Sequence, residues 1–185
     1  IQGLRVVDVL EARYPAFSGL NLTWEVRESI NKHRAPYDLP DMQVALDPSS
    51  APLLESQVAD IADEIAYDNH DLDDGLTSGI LKEEELERLE LWRQARELVT
   101  NAWGELAPEM RQHQIIRTLI HRQILDLVQA SSERLKANRI DSVAAVRACP
   151  QRLIGFSDQM RARRVPLKQL LWQQFYHHYR VIRMA

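Results

Sequence analysis

Apolar residues recur along most of this chain at helical spacing, not in alternation. Leu4, Val7, Leu10 and Tyr14 form a first stripe, closed by Pro15. A second helix is expected from Leu22 to His33, with Asn21 or Thr23 as its cap. Residues 34–52 carry Pro36, Pro40, Pro48 and Pro52 without a period and read as a loop. A third helix starts near Leu54 and ends near Gly75 or Gly79. Leu86, Leu89, Trp92, Leu98 and Val99 mark a fourth, ended by Gly104. After Pro108, the residues Ile116, Leu119, Ile120, Ile124 and Leu127 mark a long fifth, and 141–148 a short sixth. Pro166 stands where a first helical turn favours it, opening a last helix with Leu167, Leu170, Leu171, Phe175, Tyr179 and Ile182. With no sustained two-residue alternation and no hairpin signal, the pattern predicts an all-α fold.

Its 185 residues, with four Trp as bulky core material, suffice for one domain spanning 1–185. No run of about 18 apolar residues predicts a transmembrane helix. No charged-then-apolar leader is visible. The chain opens at Ile1 and stops at Met184-Ala185 inside a helical pattern, so we expect it to be part of something longer. Cys149 is the only cysteine. An internal disulfide is therefore impossible, which fits a reducing cytoplasm. The net charge of −4 conceals an asymmetry: residues 1–110 sum to −14 and residues 111–185 to +10. An acidic half suits a metal and a basic half suits phosphate or nucleic acid; equally, the two halves attract each other.

The most informative segment is Gln57 to Gly75. On a helix of about 100° per residue, Val58, Ile61, Ala62, Ile65 and Leu72 gather on a core face. Asp60, Asp63, Tyr67, Asp71 and Asp74 gather opposite, with His70 at their edge. Carboxylates one turn apart repel by roughly a few tenths of a kcal/mol per pair. The stripe needs a cation, a basic partner surface or water. Tyr67, flanked by carboxylates one turn either way, suits a pocket better than open water. A hydroxyl and a carboxylate on adjacent turns could grip a sugar hydroxyl, and a second carboxylate could bind a divalent metal.

The segment also resembles something definite. Ala62-Asp63-Glu64-Ile65-Ala66-Tyr67, followed by His70-Asp71-Leu72-Asp73-Asp74-Gly75, is similar to the signature downstream of the His-Asp motif in bacterial deoxyguanosinetriphosphate triphosphohydrolase-like proteins, members of the HD superfamily. Leu20 to Glu28, then Lys32-His33 and Pro36-Tyr37-Asp38, are similar to segments of that family, as are Ile154-Gly155-Phe156-Ser157 and Tyr176 to Val181. The resemblance covers essentially the whole chain. It implies an HD-like helical bundle, incomplete on its N-terminal side. His70-Asp71 itself reads differently from the superfamily's naming pair, because only His33 precedes it as a possible partner.

The resemblance implies that Asp63 is the last of four metal ligands, two His and two Asp, and that Tyr67 and Asp71 read the 3′-hydroxyl of deoxyribose. The other ligands and the catalytic histidine belong upstream of this chain, so the chain alone is expected to be inactive. The intact enzyme is expected to need Mg²⁺ or Mn²⁺ and to cleave dNTPs to deoxynucleoside and tripolyphosphate. It is also expected to form homo-oligomers and to accept a dNTP effector or single-stranded DNA. Lys32 closes its helix, favourable through the macrodipole; the family position suggests phosphate contact. Arg117, with His121 and Arg122 a turn on, is a surface cation or a clamp on a triphosphate oxygen, for which guanidinium geometry is suited. Arg161, Arg163 and Arg164 read as solvated, or as the border of an oligomer contact or effector site. His177-His178 reads as packing, and Cys149 carries no nucleophile signature. Two other readings stand beside this one: a phosphohydrolase of the same superfamily acting on nucleoside monophosphates or cyclic nucleotides, and a non-catalytic helical module that binds nucleic acid or assembles oligomers.

Overall fold

The computed structural model describes residues 2–32 and 50–183. His33, the Pro36-Tyr37-Asp38 segment and most of the expected proline-rich loop lie outside the described residues. Every regular element among the described residues is helical. The helices are α1 (Gln2–Arg5, continued by a π-helical turn, Val6–Leu10), α2 (Trp24–Lys32), α3 (Leu54–Thr77), α4 (Glu83–Leu86) and α5 (Glu90–Trp103). They are followed by α6 (Pro108–Ala137), α7 (Val143–Ala148), α8 (Asp158–Leu170, continued in π-helical form through Leu171–Tyr176) and α9 (Tyr179–Ile182). No described helix is long and apolar enough to cross a membrane.

The helices depart from the periodic reading in four places. The first ends at Leu10, because Glu11 turns to an extended conformation, and Tyr14 is exposed outside it. α2 starts at Trp24 and not at Leu22; Thr23, one of the two expected caps, opens it with its carbonyl accepting from the Arg27 N–H, whereas Asn21 takes a left-handed φ of 52°. The expected fourth helix is two, broken where Leu89 becomes extended. Pro166 lies inside α8, not at its start. Ser157 begins that helix by accepting from the Met160 N–H at 3.1 Å, and Asp126 in turn accepts from the Ser157 N–H and hydroxyl at 2.9 and 2.6 Å. The cap sets where the helix begins, and the interior proline forgoes one backbone hydrogen bond.

Two compact units are distinguishable. The first comprises Ile1–Asp60 and Arg134–Ile154. Its core joins Val146, Cys149 and Leu153 to Leu54, Leu135 and Ile140. Gln57, fully buried, ties it together: its amide donates to the Pro52 carbonyl at 2.8 Å and its oxygen accepts from the Leu153 and Ile154 N–H groups at 2.9 and 3.1 Å. Glu28, only 2% exposed, receives Arg147 at 2.6 Å and Lys32 at 2.6 Å. Arg147 also donates to the Ala51 carbonyl at 3.1 Å and lies 5.7 Å from the Trp24 ring centre. Lys32 donates to Ser50 O and Oγ at 2.9 and 3.1 Å.

The second unit comprises Ile61–Glu133 and Gly155–Ala185. Ile61, Ile65 and Leu72 of α3, Trp92 and Ala95 of α5, Ile116 and Leu119 of α6 and Leu167 and Leu171 near the end of α8 are all buried. Two amides are buried among them, Asn69 donating to the Ile65 carbonyl at 2.7 Å and Gln123 to Asn69 Oδ1 at 3.3 Å. Gly75 lies inside α3; a Cβ there would meet Leu81 at 2.5 Å, so the position needs the absence of a side chain more than it marks a helix end. The helix ends at Thr77, two residues before Gly79, where φ is +70°.

Burial alone would raise the Glu28 carboxyl, but hydrogen bonds from Arg147 and Lys32, with their charges, hold it below its ordinary range. The stabilisation is therefore present above the unfolded carboxyl's pKa and is lost as pH falls through the lower folded value. Glu28→Gln should cost about 2 kcal/mol near neutral pH. In urea denaturation at stepped pH, the gap between wild type and variant should narrow as the pH drops below the ordinary glutamate range; a gap that stays constant would show that the charge does not contribute.

Candidate functional site

α3 sorts its acidic residues by one-residue steps. Glu64 and Asp68 turn toward α8. Lys168 bonds Glu64, and Arg164 reaches Asp68 at 2.6 Å and Glu64 at 3.1 Å. Arg164 is 3% exposed, and its guanidinium carbon stands 4.2 Å from the centre of the Phe156 ring. The expectation that Arg164 is solvated is therefore corrected: pairing and the aromatic face take it into the core. Arg161 remains exposed and pairs with Asp158, and Arg163 pairs with Glu90 at 2.8 Å. Burial acts most strongly on Asp68 and lifts its carboxyl above the ordinary range despite Arg164 and Lys168. Burial works upward on Glu64 too, but its bonds and charges from Lys168 and Arg164 prevail and lower it.

The expected site residues lie one step round the helix. Asp63 is exposed, Tyr67 is 62% exposed, and Asp71 is half-buried. Successive members are one turn apart, about 6 Å along the axis. Asp71 accepts a hydrogen bond from the Tyr176 hydroxyl. Burial pushes the Asp71 carboxyl up; Tyr176 opposes this, Asp74 adds to it and His70 opposes it. His70 and Asp74 are exposed at the edge of this surface. Asp60, expected to share the stripe, belongs to the first unit and pairs there with Arg152. The expected core face also needs correction, since Val58 and Ala62 are exposed while Asp68 and Asn69 are buried.

The expected phosphate cations belong to different units. Arg117 is exposed on α6 in the second unit. Lys32 is in the first unit, where Glu28 and Ser50 hold its ammonium. Among the described residues no three His, Cys, Asp or Glu side chains are grouped so as to hold a metal ion. Tyr176, Arg164 and Lys168 went unassigned as site neighbours in the sequence. The available signal was their four-residue spacing (164, 168, 172, 176), which matches the spacing of the acidic residues on α3.

No family model matches the chain. Over its whole length the chain is similar to proteins named deoxyguanosinetriphosphate triphosphohydrolase-like. It is 43% identical over 185 residues to one from Geobacter metallireducens, covering 48% of that relative. It is 40% identical over 188 residues to one from Ralstonia nicotianae, again covering 48%, and 37% identical over 188 residues to one from Azoarcus sp., covering 49%. The chain thus spans about half the length of the curated relatives it matches, a downstream portion of them.

The buried pair makes a prediction for the second unit. Arg164→Met should destabilise it by about 3–5 kcal/mol, because Asp68 stays buried without its guanidinium. Asp68→Asn should cost far less in the Arg164→Met background than in the wild type. A double-mutant cycle read by urea denaturation checks this, and additive costs would mean the two side chains do not act as a pair.

Proposed function

We propose that this chain supplies the sugar-reading surface and one metal ligand of a larger metal-dependent dNTP triphosphohydrolase, which releases deoxynucleoside and tripolyphosphate. The observation that carries the reading is the Asp63–Tyr67–Asp71 series on one accessible face of α3, with Asp71 oriented by Tyr176 while the next acids round the helix are taken up by α8. The names borne by relatives matching the whole chain support the same reaction class.

Asp63 is a hard oxygen donor of the kind Mg²⁺ and Mn²⁺ take, and it is accessible to one. On this reading it is one of a set whose other members come from outside the described residues. When bound, the metal supplies Lewis-acid stabilisation of charge at the α-phosphate. This chain's own side chains bind and orient the substrate. Asp71, held by Tyr176, accepts a hydrogen bond from the 3′-hydroxyl, and Tyr67 packs the sugar ring where a 2′-hydroxyl would otherwise fit. Arg117 is the cation the proposal assigns to the triphosphate, its fork matched to phosphate oxygens. Lys32, expected to contact phosphate, has its ammonium bonded to Glu28 and Ser50 and is given no part in this reading.

The reading is tested in the longer protein that contains this chain. Asp63→Ala should abolish dNTP turnover with little change in melting temperature, since an exposed carboxylate contributes little packing. Asp71, partly buried and facing the sugar, should penalise a substrate without the 3′-hydroxyl because its bond goes unmade. Hydrolysis of 2′,3′-dideoxynucleoside triphosphates should therefore be at least tenfold slower than that of dNTPs, roughly the loss of one such bond. Asp71→Ala should shrink the difference. Equal rates on the two substrate classes would remove Tyr67 and Asp71 from sugar recognition.

A further inference from the structure

α8 and its π-helical continuation follow α3 in matching order. Arg164 and Lys168 meet Glu64 and Asp68, Tyr176 meets Asp71, and Phe175 lies 3.3 Å from where a Cβ on Gly75 would stand. Trp172 falls four residues after Lys168 and four before Tyr176. It adjoins Tyr176, the residue whose hydroxyl bonds Asp71. Its exposure sets it apart, at 45%. The indole is nevertheless held: edge-on to Tyr176 with ring centres 6.3 Å apart, and edge-on to His177 at 4.8 Å. His177 Nδ1 lies 2.6 Å from the Trp172 carbonyl oxygen. These contacts orient the ring without hiding it. Trp172 also sits in the π-helical stretch Leu171–Tyr176, whose wider turn re-aims side chains and recurs at functional sites.

Resting on the reading of Asp71 as the sugar reader, we propose that Trp172 is the platform on which the base of the bound deoxynucleotide stacks. The base is carried across the sugar ring from the 3′ edge. A nucleotide whose 3′-hydroxyl is held at Asp71 projects its base away from that carboxylate, and the accessible ring adjoining Tyr176 is Trp172. Stacking reads a π-face and not a hydrogen-bonding pattern, so it tolerates any base. Trp172 thus sets affinity for all dNTPs, with purines gaining more from their larger face.

The test compares Trp172→Leu, Trp172→Phe and wild type in the longer protein, with dGTP and dCTP as substrates and melting temperature as the folding control. Trp172→Leu should raise KM by about tenfold, the loss expected of one stacked base, with kcat largely kept. Trp172→Phe should fall between, and the penalty should be larger for dGTP than for dCTP. Inhibition by inorganic tripolyphosphate should not change, and dGTP should quench tryptophan fluorescence less in both variants. Where Trp172→Leu does not fold, Trp172→Phe carries the decision. A wild-type KM and unchanged quenching in a folded variant would overturn the platform, while Asp63→Ala and Asp71→Ala continue to report on the sugar reading. Wild-type protein that neither hydrolyses dGTP nor is quenched by it would overturn both.

Discussion

A guanidinium cannot discharge itself at any ordinary pH, so one that is 3% exposed must be met by carboxylates or not be buried at all. Arg164 is met by Asp68 and Glu64, and the face of Phe156 covers its flank. Much of the second unit's site follows from that constraint. The pairing fixes α8 lengthwise against α3, and one turn later Lys168 joins the same acids. Two turns further on, the π-helical continuation brings the Tyr176 hydroxyl to Asp71. The half-buried carboxylate that meets the sugar in the proposed reaction is therefore placed by a chain of contacts that starts at a buried charge.

The sequence made the all-α class and the long third helix legible, because helical periodicity is strongest in long segments. The outward direction of Asp63, Tyr67 and Asp71 was legible for the same reason: four-residue spacing nearly completes a turn. What failed was the inner face. Sorting by polarity put Val58 and Ala62 inside and left Asp68 and Asn69 out, whereas the structure buries the latter two. Asp68 is compensated by an arginine 96 residues later, and Asn69 by its own helix and Gln123. Such partners cannot be read from local pattern. Pro166 misled in a similar way. Its preference for a first turn is real, but the Asp126–Ser157 cap sets the start of α8 eight residues earlier.

The opposed charges of the two halves of the chain find a structural explanation in these pairs. Arg147 meets Glu28, Arg152 meets Asp60, and Arg164 and Lys168 meet Asp68 and Glu64. Each joins a downstream cation to an upstream acid within a single unit. The attraction between halves, one of the two readings open from composition, accounts for these residues without any polyanionic partner. Arg117, exposed on α6, is outside that set.

The same arithmetic explains how one helix serves both purposes. Residues 64, 68 and 72 follow 63, 67 and 71 by one position each, a rotation of about 100°. On the first row stand the paired acids Glu64 and Asp68 and the buried Leu72; on the second stand the exposed Asp63, the exposed Tyr67 and the half-buried Asp71. An acid moved from one row to the other would change its physics entirely. At position 64 or 68 it is paired by α8 and holds the fold; at 63 it is exposed and at 71 half-buried against Tyr176. Asp71 is the place where the rows meet, since Tyr176 reaches it from the continuation of α8 while its flank remains open. A carboxylate at that boundary is held by the packing of the core and is still available to a ligand, which is the combination a site needs when its geometry must be set before the substrate arrives.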